Sequence, residues 1–253
     1  MIDLHSHVLY GVDDGPKDLA GSVAICEAAV ADGTTVLAAT PHVREDWRTT
    51  PELMEERLAA VQAAVGDLIR LVPGGELDLG ELAQPREEIL RFALAGNPGY
   101  LLLETPYFGW PLDFAQIVVG LAASGIRAVI AHPERSADVQ DRPALLEPLV
   151  AAGALVQLTA ASVDGRFGSR VRRTARLLLE QRLAHLIASD AHTAAVRAVG
   201  LSSAAAAVGD EALARWLTVE VPGSIVDGGD VPVRPETAGR RGFFRRGVRP
   251  RSG

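Results

Sequence analysis

Residues 126–135 read IRAVIAHPER, with Gly125 directly before them. Glycine readily takes the positive φ that ends a helix. The aliphatic, β-branched run after it is short and suits a buried strand. The run then stops on His132 and Pro133. The same order recurs along the chain in MIDLHSH (1–7), TTVLAATPH (34–42), IRLVPGGE (69–76), YLLLE (100–104) and HLIASDAH (185–192), each ending on a His, Asp or Glu. Strands are therefore expected near 2–6, 34–40, 69–75, 100–104, 126–131, 154–159 and 185–189. Helical stretches fall between them, near 17–32, 51–66, 84–95, 112–124, 142–152, 168–182 and 194–207. Gly33 and Gly153 act as further helix stops, and Pro51 stands where a helix can start without needing its N–H. This alternation predicts parallel strands with crossover helices. The expected fold class is α/β, a distorted (β/α)7 TIM-like barrel, with an open doubly wound sheet as the alternative.

The 253 residues suit one such barrel, and 48% hydrophobic residues predict a packed fold. The barrel is set at 1–237 and a basic tail at 238–253. The net charge of −7 is unevenly spread. The tail holds Arg240, Arg241, Arg245, Arg246, Arg249 and Arg251 and no acid, which leaves about −13 on the remainder. An acidic body argues against nucleic acid as the main partner, because a phosphate backbone requires a positive surface. Bound cations would neutralise part of that acidity. The tail reads as a solvated extension. The alternative is peripheral contact with an acidic protein or membrane surface, since Phe243 and Phe244 lie among arginines. One cysteine, Cys26, rules out an internal disulfide, and its helical setting predicts a small core residue. The N-terminus lacks the pattern of a signal peptide, and no apolar run is long enough to span a bilayer. The expected compartment is the cytoplasm.

Five of the six histidines lie at or just past strand ends: His5, His7, His42, His132 and His192. Glu76, Glu104 and Asp190 occupy matching places. In a parallel barrel the C-terminal strand ends meet on one face, so these scattered side chains are expected to form one centre. His5 and His7, two residues apart on extended chain, project to the same side. A strand-end histidine by itself is an ordinary residue, and only the repetition points to metal. His185 precedes a strand, at the opposite end, and reads as structural. A nitrogen and oxygen donor set without thiolate suits Mn, Fe, Zn or Co. It has more ligands than one ion needs, so two or three ions are expected, with Glu76 as a bridge.

MIDLHSHVLYGVDDGPKD, ATPH, GGEL, LLLE, VIAHPER, GRFG and IASDAH, in this order, closely resemble the PHP (polymerase and histidinol phosphatase) superfamily. More narrowly, they resemble the bacterial tyrosine-protein phosphatases of the CpsB/YwqE type, over roughly residues 1–200. The resemblance implies three divalent ions, with manganese among the candidates. His5, His7, Glu76 and Asp190 would hold one. Asp14, His42 and His192 would hold a second, with Asp13 as the rival of Asp14. Glu76, Glu104 and His132 would hold the third. It further implies Arg135 and Arg197 as phosphate-gripping residues and hydrolysis of phosphotyrosine by a metal-activated hydroxide. A phenol has little need of acid assistance as it leaves; a metal-held water and Asp14 are the candidates to supply it. The implied partner is a tyrosine autokinase in capsule or exopolysaccharide synthesis. Two departures stand out: Thr159 occupies a place where asparagine is expected, and the loop 193–197 lacks a glycine before its arginine. The alternatives are another PHP phosphoesterase of the histidinol-phosphate type, an amidohydrolase barrel, and a non-catalytic scaffold that docks on a kinase. The amidohydrolase reading is weakened because the only lysine, Lys17, stands far from the fourth strand.

Overall fold

The computed structural model describes residues 1–47, 49–194 and 199–236. Nine short strands run through it: β1 (Ile2–Asp3), β2 (Val36–Ala39), β3 (His42–Val43), β4 (Arg70–Pro73), β5 (Glu76–Leu77), β6 (Tyr100–Glu104), β7 (Arg127–Ala131), β8 (Leu155–Thr159) and β9 (Leu186–Ala188). Every pairing is parallel, in the orders β1-β2-β4 and β3-β5-β6-β7-β8-β9. The seven expected strands are all present, but two are broken. Pro41 lies between β2 and β3, and Gly74 and Gly75 separate β4 from β5. A Cβ on Gly75 would come within 2.8 Å of Val43 Cγ2 and 2.9 Å of Phe92 Cβ, so only glycine allows this close approach.

The chain after β9 returns to the chain after β1. Asp190 N–H donates to the His5 carbonyl and His7 N–H to the Ala191 carbonyl, both at 2.9 Å. The bridge Ser6–Ala191 is again parallel. These bonds join the last strand to the first, which is the closure expected from the sequence. Every residue of β6 and β8 is buried, as is β7 beyond Arg127. Helices cover such strands on their outer face, so the strands read as unbroken apolar runs. One hydrophobic cluster extends from Leu4 to Ile225. Cys26 lies in it, on the helix Leu19–Ala31.

The helices depart from expectation where proline and glycine intervene. The stretch 84–95 contains the short helix Arg86–Leu90, which starts directly after Pro85, and the beginning of a 3-10 turn, Leu94–Gly96, in which Ala95 has φ 58°. The stretch 142–152 is a 3-10 turn, Pro143–Leu146, followed by Glu147–Ala151. The helix expected over 194–207 is described at Leu201–Val208, after Gly200 at φ 78°. A further helical run, Glu211–Arg215 to Val221–Asp227, was not read from the sequence. Asp210 opens it by accepting the Leu213 N–H at 2.9 Å. Among the described residues no helix is long and apolar enough to cross a membrane. The tail 238–253 and Arg197 lie outside the described residues.

Candidate metal centre and active site

His5 and His7 follow β1, His42 opens β3, Glu76 opens β5, Glu104 ends β6, His132 follows β7, and Asp190 and His192 follow β9. All face one end of the ring. Four groups each bring their ligand atoms within 4.8 Å of one another: His7–Asp14–His42–His192, His5–His7–Asp190, His5–Glu76–His132 and His42–Glu76–Glu104. All nine residues that the sequence singled out as ligands are thus gathered. The grouping differs from the implied one, with four groups rather than three. His7 joins Asp14, His42 and His192, and Glu76 is not grouped with His5, His7 and Asp190. Glu104 and His132 fall in separate groups that share Glu76, the first with His42 and the second with His5. Glu76 is central because β5 lies between β3 and β6 in the sheet.

Backbone strain helps to aim two of these side chains. His132 has φ 36° and Asp190 has φ 55°, the left-handed region that non-glycine residues seldom adopt. Such strain persists where the surroundings impose it and clusters at functional sites. The loop 13–15 folds over His7. A Cβ on Gly15 would lie 2.2 Å from the His7 carbonyl oxygen. Asp13 points inward: its Oδ2 accepts from His7 Nδ1 at 2.6 Å and from the His42 N–H at 2.9 Å. Asp14 points to the opening, with Oδ1 at 3.0 Å from His192 Nε2 and 3.8 Å from His42 Nε2. The neighbouring acids therefore have different tasks, and Asp14 is the one in the cluster.

The imidazole orientations test whether cations fit. His5 Nδ1 donates to Gln157 Oε1 at 3.0 Å, and His7 Nδ1 donates to Asp13. These bonds leave both Nε2 atoms as lone-pair donors. The two Nε2 atoms face each other at 3.3 Å. Glu76 Oε2 lies 3.4 Å from each of them and 3.0 Å from His42 Nδ1, yet it is buried without a hydrogen bond. Glu104 Oε2 is likewise buried and unpartnered. Lone pairs and carboxylates converging in a buried cluster are costly by themselves and are matched by divalent cations. The residues present fit such ions.

The electrostatics agree. Burial opposes charge on His7, but Asp13, Asp190 and Glu76 outweigh it and hold its pKa well above the usual value. Burial would raise the Glu76 and Asp190 carboxyls, yet the surrounding imidazoles hold both well below the usual range. Burial and the Glu76 charge push Glu104 up. Burial lowers His132.

Above the cluster is a cavity of about 260 Å³ lined by Asp14, His42, Arg44, Trp47, Glu104, Tyr107, His132, Arg135, Asp190 and His192. Arg135 donates to Asp190 Oδ2 and to the Tyr107 hydroxyl. Its guanidinium lies 5.1 Å from the Tyr107 ring centre and 5.3 Å from that of Phe167. Arg44 was not singled out from the sequence. It forks onto Asp46 at 2.7 and 3.0 Å and reaches Glu104 at 3.5 Å. Trp47 lies nearly parallel to His42, with centroids 6.5 Å apart. Thr159, where asparagine was expected, directs its N–H to Glu134 Oε1 at 2.9 Å, behind the site.

Residues 1–226 match the family described as capsular polysaccharide synthesis, CpsB/CapC. The chain belongs to this family. It is 34% identical over 202 residues to the tyrosine-protein phosphatase YwqE of Bacillus subtilis, covering 78% of this chain and 79% of that protein. It is 27% identical over 214 residues to the tyrosine-protein phosphatase CpsB of Streptococcus agalactiae, covering 81% of this chain and 88% of the relative. A solved structure, described with YwqE of B. subtilis and CpsB of Streptococcus pneumoniae as metal-dependent tyrosine phosphatases, superposes with a TM-score of 0.86 at 29% identity. That match covers 95% of this chain and 100% of the other.

Proposed function

We propose that this chain is a metal-dependent protein-tyrosine phosphatase of the cytoplasm, acting on a phosphotyrosine protein, with a tyrosine autokinase of capsule or exopolysaccharide synthesis as its partner. The observation that carries the reading is the pair of opposed His5 and His7 Nε2 atoms, 3.3 Å apart beside an unpartnered Glu76 oxygen. Three divalent ions, of Mn, Fe, Zn or Co, fit a set of nine such ligands. Divalent ions supply an activated water nucleophile at neutral pH and offset phosphoryl charge. Arg135, held between Tyr107 and Phe167 and tied to Asp190, presents a fixed guanidinium that suits two phosphoryl oxygens. Arg44 brings a second guanidinium to the same cavity.

Asp14 is partly buried, which raises its pKa, but His192, His7 and His42 outweigh this and lower it to about 2. It is ionised at neutral pH and serves as a ligand or proton acceptor. A phenol leaving group with a pKa near about 10 departs without strong acid assistance. Phe108 and Leu112, 80% and 99% exposed on the loop after β6, give a protein substrate apolar surface to meet.

The test is turnover of a phosphotyrosine peptide by metal-loaded protein, set beside histidinol phosphate and single-stranded DNA. Activity on the peptide that disappears with chelator and in His5→Ala is the expected result. Preference for histidinol phosphate would move the chain to another phosphoesterase class. No turnover of any of the three by loaded protein would leave the scaffold reading.

A further inference from the structure

At the opposite end of the ring lies a second cavity, of about 350 Å³. Arg127 at the start of β7, Arg182 just before β9, and Arg234 from the C-terminal segment all line it, together with His185 and Trp216. Leu155, the first residue of β8, also lines it, which fixes its place at the N-terminal strand ends, away from the metal cluster. None of its lining residues is an acid. None of the three arginines forms an ion pair among the described residues. Residues 237–253 contain no Asp or Glu with which to neutralise them.

The polar groups here are donors. His185 Nδ1 accepts the Val156 N–H at 3.1 Å, so in the neutral ring the proton sits on Nε2. Arg234 is anchored, donating to the Ala184 and Leu179 carbonyls at 3.1 and 2.8 Å. Its guanidinium lies over the Trp216 ring at 5.6 Å. The Trp216 indole is itself fixed by Pro232, whose carbonyl accepts its N–H at 2.9 Å. Arg182 has φ 61°, a conformation that favours glycine. Like charges gathered in one concavity, without an acid, repel each other unless an anion joins them.

We infer that this cavity binds a small phosphate-bearing molecule, remote from the catalytic face. Guanidinium forks match phosphate oxygens. The volume lies at the lower end of the small-ligand range, about 300–1,000 Å³, and is small for a folded partner. An acidic peptide is the competing occupant.

The test uses zinc-loaded, nitrogen-15-labelled full chain titrated with inorganic phosphate. The indole N–H signals of Trp216 and Trp47 report the two cavities separately, and Trp110→Phe simplifies their assignment. Phosphate is expected to move both signals. In Arg127→Ser/Arg182→Gly the Trp216 midpoint is expected to rise about tenfold or more, with the Trp47 midpoint and the basal phosphotyrosine turnover unchanged. Both substituted residues are exposed, and glycine suits the backbone at 182, so the variant should keep its fold. A Trp216 signal that ignores phosphate, or that responds equally in the variant, overturns the inference. So does a Trp216 signal that answers only to a hexaglutamate peptide, which would make the cavity a protein-docking site.

Discussion

Asp13 Oδ2 receives both the His7 Nδ1 proton and the His42 N–H, so it orients one imidazole and the backbone beside another without facing the cavity. Such orienting carboxylates usually matter about 10–100-fold in metal affinity or activity. Asp13→Ala is expected to retain the fold, lose metal on dialysis and fall in kcat/KM by about that factor. Metal content equal to wild type in Asp13→Ala would remove this role. Arg135→Ala is expected to lower kcat/KM by about 100-fold or more, the usual loss when a donor to developing charge is deleted. It should also weaken inhibition by phosphate, which a merely structural arginine would leave intact. Arg135→Lys keeps the charge but not the fork and should recover little. Eight of the nine ligand candidates were legible because they recur at strand ends, and Asp14 came only from the family resemblance. Gln157, Arg44, Trp47 and Tyr107 were not, since their roles depend on side-chain direction across strands far apart in sequence. The choice between Asp13 and Asp14 needed the turn at Gly15, where the His7 carbonyl lies 2.2 Å from any added Cβ.

The strand starting at Leu186 illustrates what an element can hide. Its apolar run is legible in the sequence, and His185 before it lies apart from the metal cluster. The reason for a histidine there is visible only in the packing. Its backbone N–H donates to the Val156 carbonyl at 2.9 Å, while its Nδ1 accepts the Val156 N–H in return. Burial, followed by Arg234 and Arg127, lowers its pKa to about 4. A histidine depressed in the folded chain binds its proton mainly when unfolded, so stability is complete above the unfolded value near about 6.5. It declines as the pH falls from there to about 4 and is flat below. The loss is at most about 3 kcal/mol. An asparagine in its place would keep an acceptor without a titrating ring. His185→Asn is therefore expected to flatten the fall in Tm between pH 7 and pH 4.5 relative to wild type. Identical slopes would show that this histidine does not carry the dependence. Helix limits were less legible than strands, because Pro148 and Gly200 reset the starts by several residues.

Over the whole molecule, the ligand candidates sit on or beside six of the seven strands around the ring, and β8 adds Gln157 behind His5. The backbone joint between last and first strands is short, the Ser6–Ala191 bridge and its two flanking hydrogen bonds. Asp190 and His192 lie on one side of that joint, with His5 and His7 on the other. Cations in the cluster would therefore fasten the closure of the barrel as well as serve chemistry. A ligand that binds only the folded state adds about 2.7 kcal/mol at a concentration 100 times its dissociation constant. For a chain of this size each kcal/mol raises Tm by about 2–4 °C. Chelation is thus expected to lower Tm by roughly 5–10 °C, with Mn or Zn restoring it. The acidic neighbours of His7 favour its protonated form when no metal competes. A ligand must lose that proton to bind, so loading releases protons. The metal-dependent gain should grow as pH rises from 6 to 8 and shrink below that. His5→Ala/His7→Ala should lose the gain at every pH while remaining folded. A wild-type Tm that is the same with chelator and with excess metal, at pH 8, would separate the closure of the barrel from its ions.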